Sequence, residues 1–248
     1  MTLLVMAAVL TFVLTAVFSM AGLGAALILI PVFLAFGIEL QTAMAVALLL
    51  NAVGMSVAST TFVRKGLVEW RLVVPMVVLA VGLSPVGVWA AHGLERDLLL
   101  WLFVGFLVFA ALMMLLYRPK PRTTRASAAA TLALGLPVGG TAGFIGGLLG
   151  VGGGNIIVPA LVTAGLEPKR ASASASFVVI FASLSGFLAH VQVARIDPAL
   201  LAVTAVATIA GAALGAWLAT ERLSPGQLKH AIAMVLMLVA AKTMWDLL

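Results

Sequence analysis

The chain of 248 residues has no cysteine, one tyrosine and very little charge, with only 9% of its residues Asp, Glu, Lys or Arg. The missing cysteine excludes disulfides, thiolate metal sites and a cysteine nucleophile. The shortage of charge argues against a soluble chain, which needs about a quarter of its residues charged to cover its surface. Carboxylates are absent from the middle of every apolar stretch: Glu39, Glu69, Glu95, Asp97, Glu167, Asp197, Glu221 and Asp246 lie at ends or in loops. Proton- and sodium-coupled carriers usually keep such a group inside the membrane. No basic face with interleaved aromatics exists, so nucleic acid is not an expected partner. Ser185, Gly186 and His190 sit close together on one helix and give no nucleophile–base–oxyanion arrangement, so an enzyme is not expected.

What remains is 64% hydrophobic, with several apolar runs of 18 residues or more, each long enough to span hydrocarbon. The expected class is an all-α polytopic membrane protein in a bilayer, with the bacterial inner membrane as its place. A net charge of +6 carried on short loops fits cytoplasmic anchoring and contact with anionic lipid. Met1 to Gly24 resembles the apolar part of a signal peptide but has no positive n-region, and is read as part of the fold.

The chain also says nearly the same thing twice, 128 residues apart. Gly22, Gly24, Ile28, Pro31, Gly37, Glu39, Ala43, Ala45 and Ala47 reappear as Gly150, Gly152, Ile156, Pro159, Gly165, Glu167, Ala171, Ala173 and Ala175. That is 9 identities in 26 ungapped pairs, where this composition gives roughly 3 by chance. Gly87/Gly215 and Trp89/Trp217 keep the same offset. The expected organisation is a first membrane repeat over 1–117, a basic connecting loop over 118–125 and a second repeat over 126–248.

Apolar stretches fall at about 2–36, 40–63, 72–91, 98–117, 126–165, 171–194, 198–220 and 228–248, giving about four segments per half. The first and fifth are too long for one crossing, and glycines then proline interrupt each of them. Two helical arms around an unwound glycine segment are expected there, facing protein or a wet cavity. Eight plain crossings would split the Lys and Arg residues 9 to 5 between the two sides. Re-entrant first and fifth segments split them 11 to 3, which the positive-inside rule prefers, and make the halves inverted repeats.

The sharpest motif runs Gly146-Gly147-Leu148-Leu149-Gly150-Val151-Gly152-Gly153-Gly154-Asn155-Ile156-Ile157-Val158-Pro159. Glycines admit positive φ and bring bare amides to a ligand. A helix restarting after them aims free N–H groups and a partial positive charge at a small anion. Asn155 adds side-chain donors or a cap. No strand precedes the glycines and no Lys-Ser/Thr follows, so the motif is not a nucleotide loop, and no cofactor is expected. Upstream, Gly135, Gly139, Gly143 and Gly147 are spaced i, i+4 and read as a helix-packing face. Such small-residue faces also offer a surface for a homodimer.

The first copy, Gly22-Leu23-Gly24-Ala25-Ala26, has alanine where the second has Gly153 and Gly154, so unequal contributions from the halves are expected. Asn51 lies mid-span, where an amide costs most, and is a site candidate. Ser172, Ser176 and Ser183 share a helical face; Ser172 and Ser176 complete the candidate set with Pro159, Gly22, Gly24 and Pro31. Hydroxyls in such helices most often bond their own backbone. His190 is read as interfacial, and Lys242 with Asp246 as a structural i, i+4 pair.

Together the second-half glycine–proline motif and its weaker first copy resemble the TauE/SafE sulfite-exporter family of inner-membrane permeases, over the whole chain. The resemblance implies movement, usually outward, of small sulfur-containing anions such as sulfite and organosulfonates. Ala25 and Ala26 depart from the glycine-rich pattern. The expected function is export of a small anion bound at the Gly-broken helix starts. The alternatives are uptake or a channel-like path for another solute, or a scaffold subunit that moves nothing.

Overall fold

A computed structural model describes residues 2–116, 128–191, 197–221 and 225–247. The basic connecting loop 118–125 lies outside the described residues. Among them the chain forms ten helices and no strand: α1 (Thr2–Met20), α2 (Ala26–Ala35), α3 (Leu40–Arg64), α4 (Trp70–His92), α5 (Arg96–Leu116), α6 (Ala128–Leu148), α7 (Gly154–Thr163), α8 (Pro168–His190), α9 (Pro198–Glu221) and α10 (Pro225–Leu247). Only helices and closed barrels satisfy every backbone group in lipid, and long Leu/Ala/Val runs favour the helix. Five of these helices, α3, α4, α5, α8 and α9, are long and apolar enough to cross a membrane.

The two overlong segments are each a pair of helices, as their glycines require. α1 stops at Met20 and α2 starts at Ala26; α6 stops at Leu148 and α7 starts at Gly154. Gly22 and Gly24 stand at φ 68° and 75°, and Gly150, Gly152 and Gly153 at 70°, 75° and 81°. Residues with a β-carbon enter that left-handed region at a cost, so the breaks are written in glycine.

Helix packing repeats across the halves. α1 packs along α9 and α6 along α4; α3 lies against α8 and α9, α8 against α3 and α4, and α5 against α10. Exchanging α1–α5 for α6–α10 maps this set onto itself. The contacts repeat atom for atom in one case: Gly87 abuts the Phe144 carbonyl, and 128 residues on Gly215 abuts the Ala16 carbonyl.

Helix directions follow from successive contacts. Gly139 lies against Met76, Gly143 against Ala80 and Gly147 against Ser84, so α6 and α4 run the same way. Gly211 against Phe12 and Gly215 against Ala16 do the same for α9 and α1. Between α3 and α8 the numbering runs oppositely: Asn51 bonds Ser183, and Leu48 lies against Gly186. Two ion pairs, Lys65–Glu221 at 2.5 Å and Arg170–Glu69 at 3.4 Å, tie the ends of α3 and α9 and the starts of α8 and α4. They are exposed enough to contribute little stability, but they fix which helix ends lie together.

Candidate functional site

The two glycine breaks meet at the centre of the bundle. Gly154, the first residue of α7, lies against the Leu23 carbonyl, 2.6 Å from where its β-carbon would be. Gly22 lies against the Ser172 carbonyl at 2.5 Å by the same measure. Gly150 faces Met44 and Ile30, and Gly153 faces the Ala142 carbonyl. The bare flanks of these glycines are therefore filled by protein, and a side chain at any of them would push loops apart. A β-carbon on Gly139 would lie 2.5 Å from the Met76 backbone, as crowded as one on Gly153.

Asn51 is the hub of this junction. It is 2% exposed and lies against both Gly24 and Gly152. Its Oδ1 accepts the Ala26 N–H at the start of α2 (3.4 Å), and its Nδ2 donates to Ser183 Oγ on α8 (2.9 Å). One carboxamide from α3 thus joins both breaks and a helix of the other half. Ser183, itself buried, completes the link. The sequence put it on the serine face but gave no reason to prefer it. Its signal is positional: the repeat places Val179 opposite Asn51, and Ser183 lies one turn beyond.

The start of α7 is differently equipped. Gly153 caps it in left-handed geometry without a side-chain hydrogen bond. The amides of Gly153, Gly154 and Asn155 have no acceptor among the described residues. Asn155 is 3% exposed, and neither its Oδ1 nor its Nδ2 has a partner among the described residues. Helical Cα–Cβ bonds tilt toward the N-terminus, the side on which the free amides lie. No Lys, Arg, Asp or Glu is among the buried polar groups described. Positive potential here comes from helix ends and amides alone.

The remaining candidates stand further off. Ser176 spends its hydroxyl on the Ser172 carbonyl of its own helix (2.8 Å). Ser172 meets the first break through its backbone. Pro31 and Pro159 sit inside α2 and α7, a turn and a half past the breaks. There each removes a backbone donor. Lys242 and Asp246 form the expected pair at 2.6 Å. His190, expected at the interface, is instead fully buried at the end of α8, its ring 5.3 Å from that of His92.

Comparison with known proteins adds the lineage. The family described as Sulfite exporter TauE/SafE matches residues 7–243. A protein of Bacillus subtilis (strain 168) named Probable membrane transporter protein YunE is 38% identical over 58 residues, 23% of this chain and 21% of its own length. Sulfite exporter TauE/SafE family protein 6 of Arabidopsis thaliana is 50% identical over 46 residues, 18% of this chain and 11% of its own length. The matched stretches thus span about a fifth or less of these relatives. No solved structure matches. The chain belongs to the TauE/SafE family of membrane transporters and is a multi-pass membrane protein.

Proposed function

We propose that the protein exports a small oxyanion, sulfite or a small organosulfonate, held where the starts of α2 and α7 converge. One observation carries the reading. Two helices begin at the same buried spot after unwound glycine segments, with the amides of Gly24, Ala25, Gly153, Gly154 and Asn155 lacking an acceptor among the described residues, around an asparagine that touches both breaks. Converging helix N-termini favour negative charge without a buried cation, and broken helices in both repeats are the usual pointer to a transport site. A scaffold has no use for unwound backbone at that depth.

The same proposal includes inverted halves with re-entrant α1–α2 and α6–α7. The opposed directions of α3 and α8 support it. So do the ion pairs Lys65–Glu221 and Arg170–Glu69, because eight plain crossings would put their partners on opposite sides of the membrane.

The test is thermal stabilisation of purified protein by sulfite, methanesulfonate, sulfate, thiosulfate and acetate. Stabilisation by sulfite and methanesulfonate above acetate is expected. Equal response to all five, or to none, would remove the anion-site reading.

A further inference from the structure

Resting on that reading, we infer that the chain holds a single anion, at the start of α7 only, and that the site selects a singly charged oxyanion that still carries a proton. The two breaks are related by the repeat, but their chemistry is not. At α2 the first-turn amide of Ala26 is already occupied by Asn51 Oδ1. In the second half the residue equivalent to Asn51 is Val179, which cannot cap, and the Gly154 amide has no acceptor among the described residues. The residue equivalent to Asn155 is Leu27, fully buried and apolar. Among the described residues, the start of α2 therefore has its middle amide capped by a side chain and keeps only those of Ala25 and Leu27 bare beside an apolar leucine, whereas α7 is left with three bare amides and an unpartnered carboxamide. Asn51 is a positioning residue in this scheme: both ends of its amide are committed, and it ties α2 to α8.

The charge state follows from the donor set. A site without a buried cation must meet the desolvation of its ligand through dipoles alone, and that cost grows steeply with charge, so a monoanion fits better than a dianion. Asn155 offers both a donor, Nδ2, and an acceptor, Oδ1. Neither has a partner among the described residues. A fully deprotonated oxyanion satisfies only the donor and repels the acceptor. An oxyanion bearing O–H satisfies both.

Calorimetric titration of the purified full chain tests this, with sulfite across the pH range in which hydrogensulfite loses its proton, and with methanesulfonate as a monoanion that does not titrate. One site per chain is expected, with sulfite affinity falling as pH rises, while methanesulfonate, which has no O–H to give Asn155 Oδ1, binds more weakly than hydrogensulfite and stays level with pH. Asn155→Leu, which copies the first half, should weaken hydrogensulfite about ten- to a hundredfold, the loss of a hydrogen bond to a charged group. Asn155→Ala should do the same if the larger side chain disturbs folding. Two sites per chain, unchanged affinity in the Asn155 variants, or sulfite binding indifferent to pH would overturn the inference and leave the oxyanion reading standing. Binding of neither probe would sink both.

Discussion

A β-carbon at Gly152 would run into Ser183 and Asn51, whereas one at Gly37 would meet nothing within 4 Å. Both residues have positive φ, 75° and 78°, so both substitutions carry the same left-handed backbone strain. Gly37→Ala should therefore cost only about 1–2 kcal/mol and keep transport. Gly152→Ala should lose transport altogether. Comparable transport by the two variants, assayed at matched membrane levels, would mean that the junction is not where the anion passes. Asn51→Ala strands a buried amide on Ala26 and a hydroxyl on Ser183, and should cost about 1–3 kcal/mol. For a chain of this size that is a melting temperature several degrees lower. An unchanged melting curve in detergent would contradict the hub role. At this scale the sequence was informative in kind but not in partner. Asn51 stood out because an amide deep in a span must be satisfied. Nothing local said that its two ends go to Ala26 and Ser183, because that pairing is made by helices 132 residues apart in sequence meeting at a crossing.

Among the elements, the breaks at 21–25 and 149–153 were the most legible feature, because glycine and excess helix length are local properties. Partner choice was not. Apolar helices look alike to lipid, and selection lies in which small residues meet which backbone. The glycine face of α6 announced close packing without naming α4 as its partner. The absence of cysteine makes this testable directly. The β-carbon position at Gly54 on α3 lies 3.7 Å from that of Ala212 on α9, and Gly140 on α6 stands 4.0 Å from Leu79 on α4. Both spacings lie within disulfide range. Gly54→Cys with Ala212→Cys, and Leu79→Cys with Gly140→Cys, should each crosslink the two halves on oxidation. After a protease site introduced between the halves is cut, gel migration should stay at full length. Separation of the halves in either oxidised pair would refute the corresponding packing.

At the scale of the whole molecule, charge placement and helix direction bear on the same question by independent routes. Loop cations favour re-entrant first and fifth segments by 11 to 3. The ends joined by Lys65–Glu221 and Arg170–Glu69 then fall on the cation-rich side. Reporter fusions should report a cytoplasmic 118–125 loop and a C-terminus outside; a cytoplasmic C-terminus would restore eight plain crossings. The remaining question is what drives the anion. None of the buried polar groups described is a carboxylate, and a deep carboxylate is the usual carrier of a coupling proton or sodium ion. Membrane potential suffices without one. Each negative charge leaving a cell that is negative inside gains about 2.3 kcal/mol per 100 mV. That is roughly a fiftyfold bias toward efflux for the singly charged ligand inferred above. In proteoliposomes with equal pH and sodium on both sides, flux should follow an imposed potential and reverse with its sign. Flux that ignored the potential and required a pH gradient would defeat the uncoupled mechanism. The first groups to replace would then be His190 and His92, the buried histidine and its ring neighbour at the ends of α8 and α4.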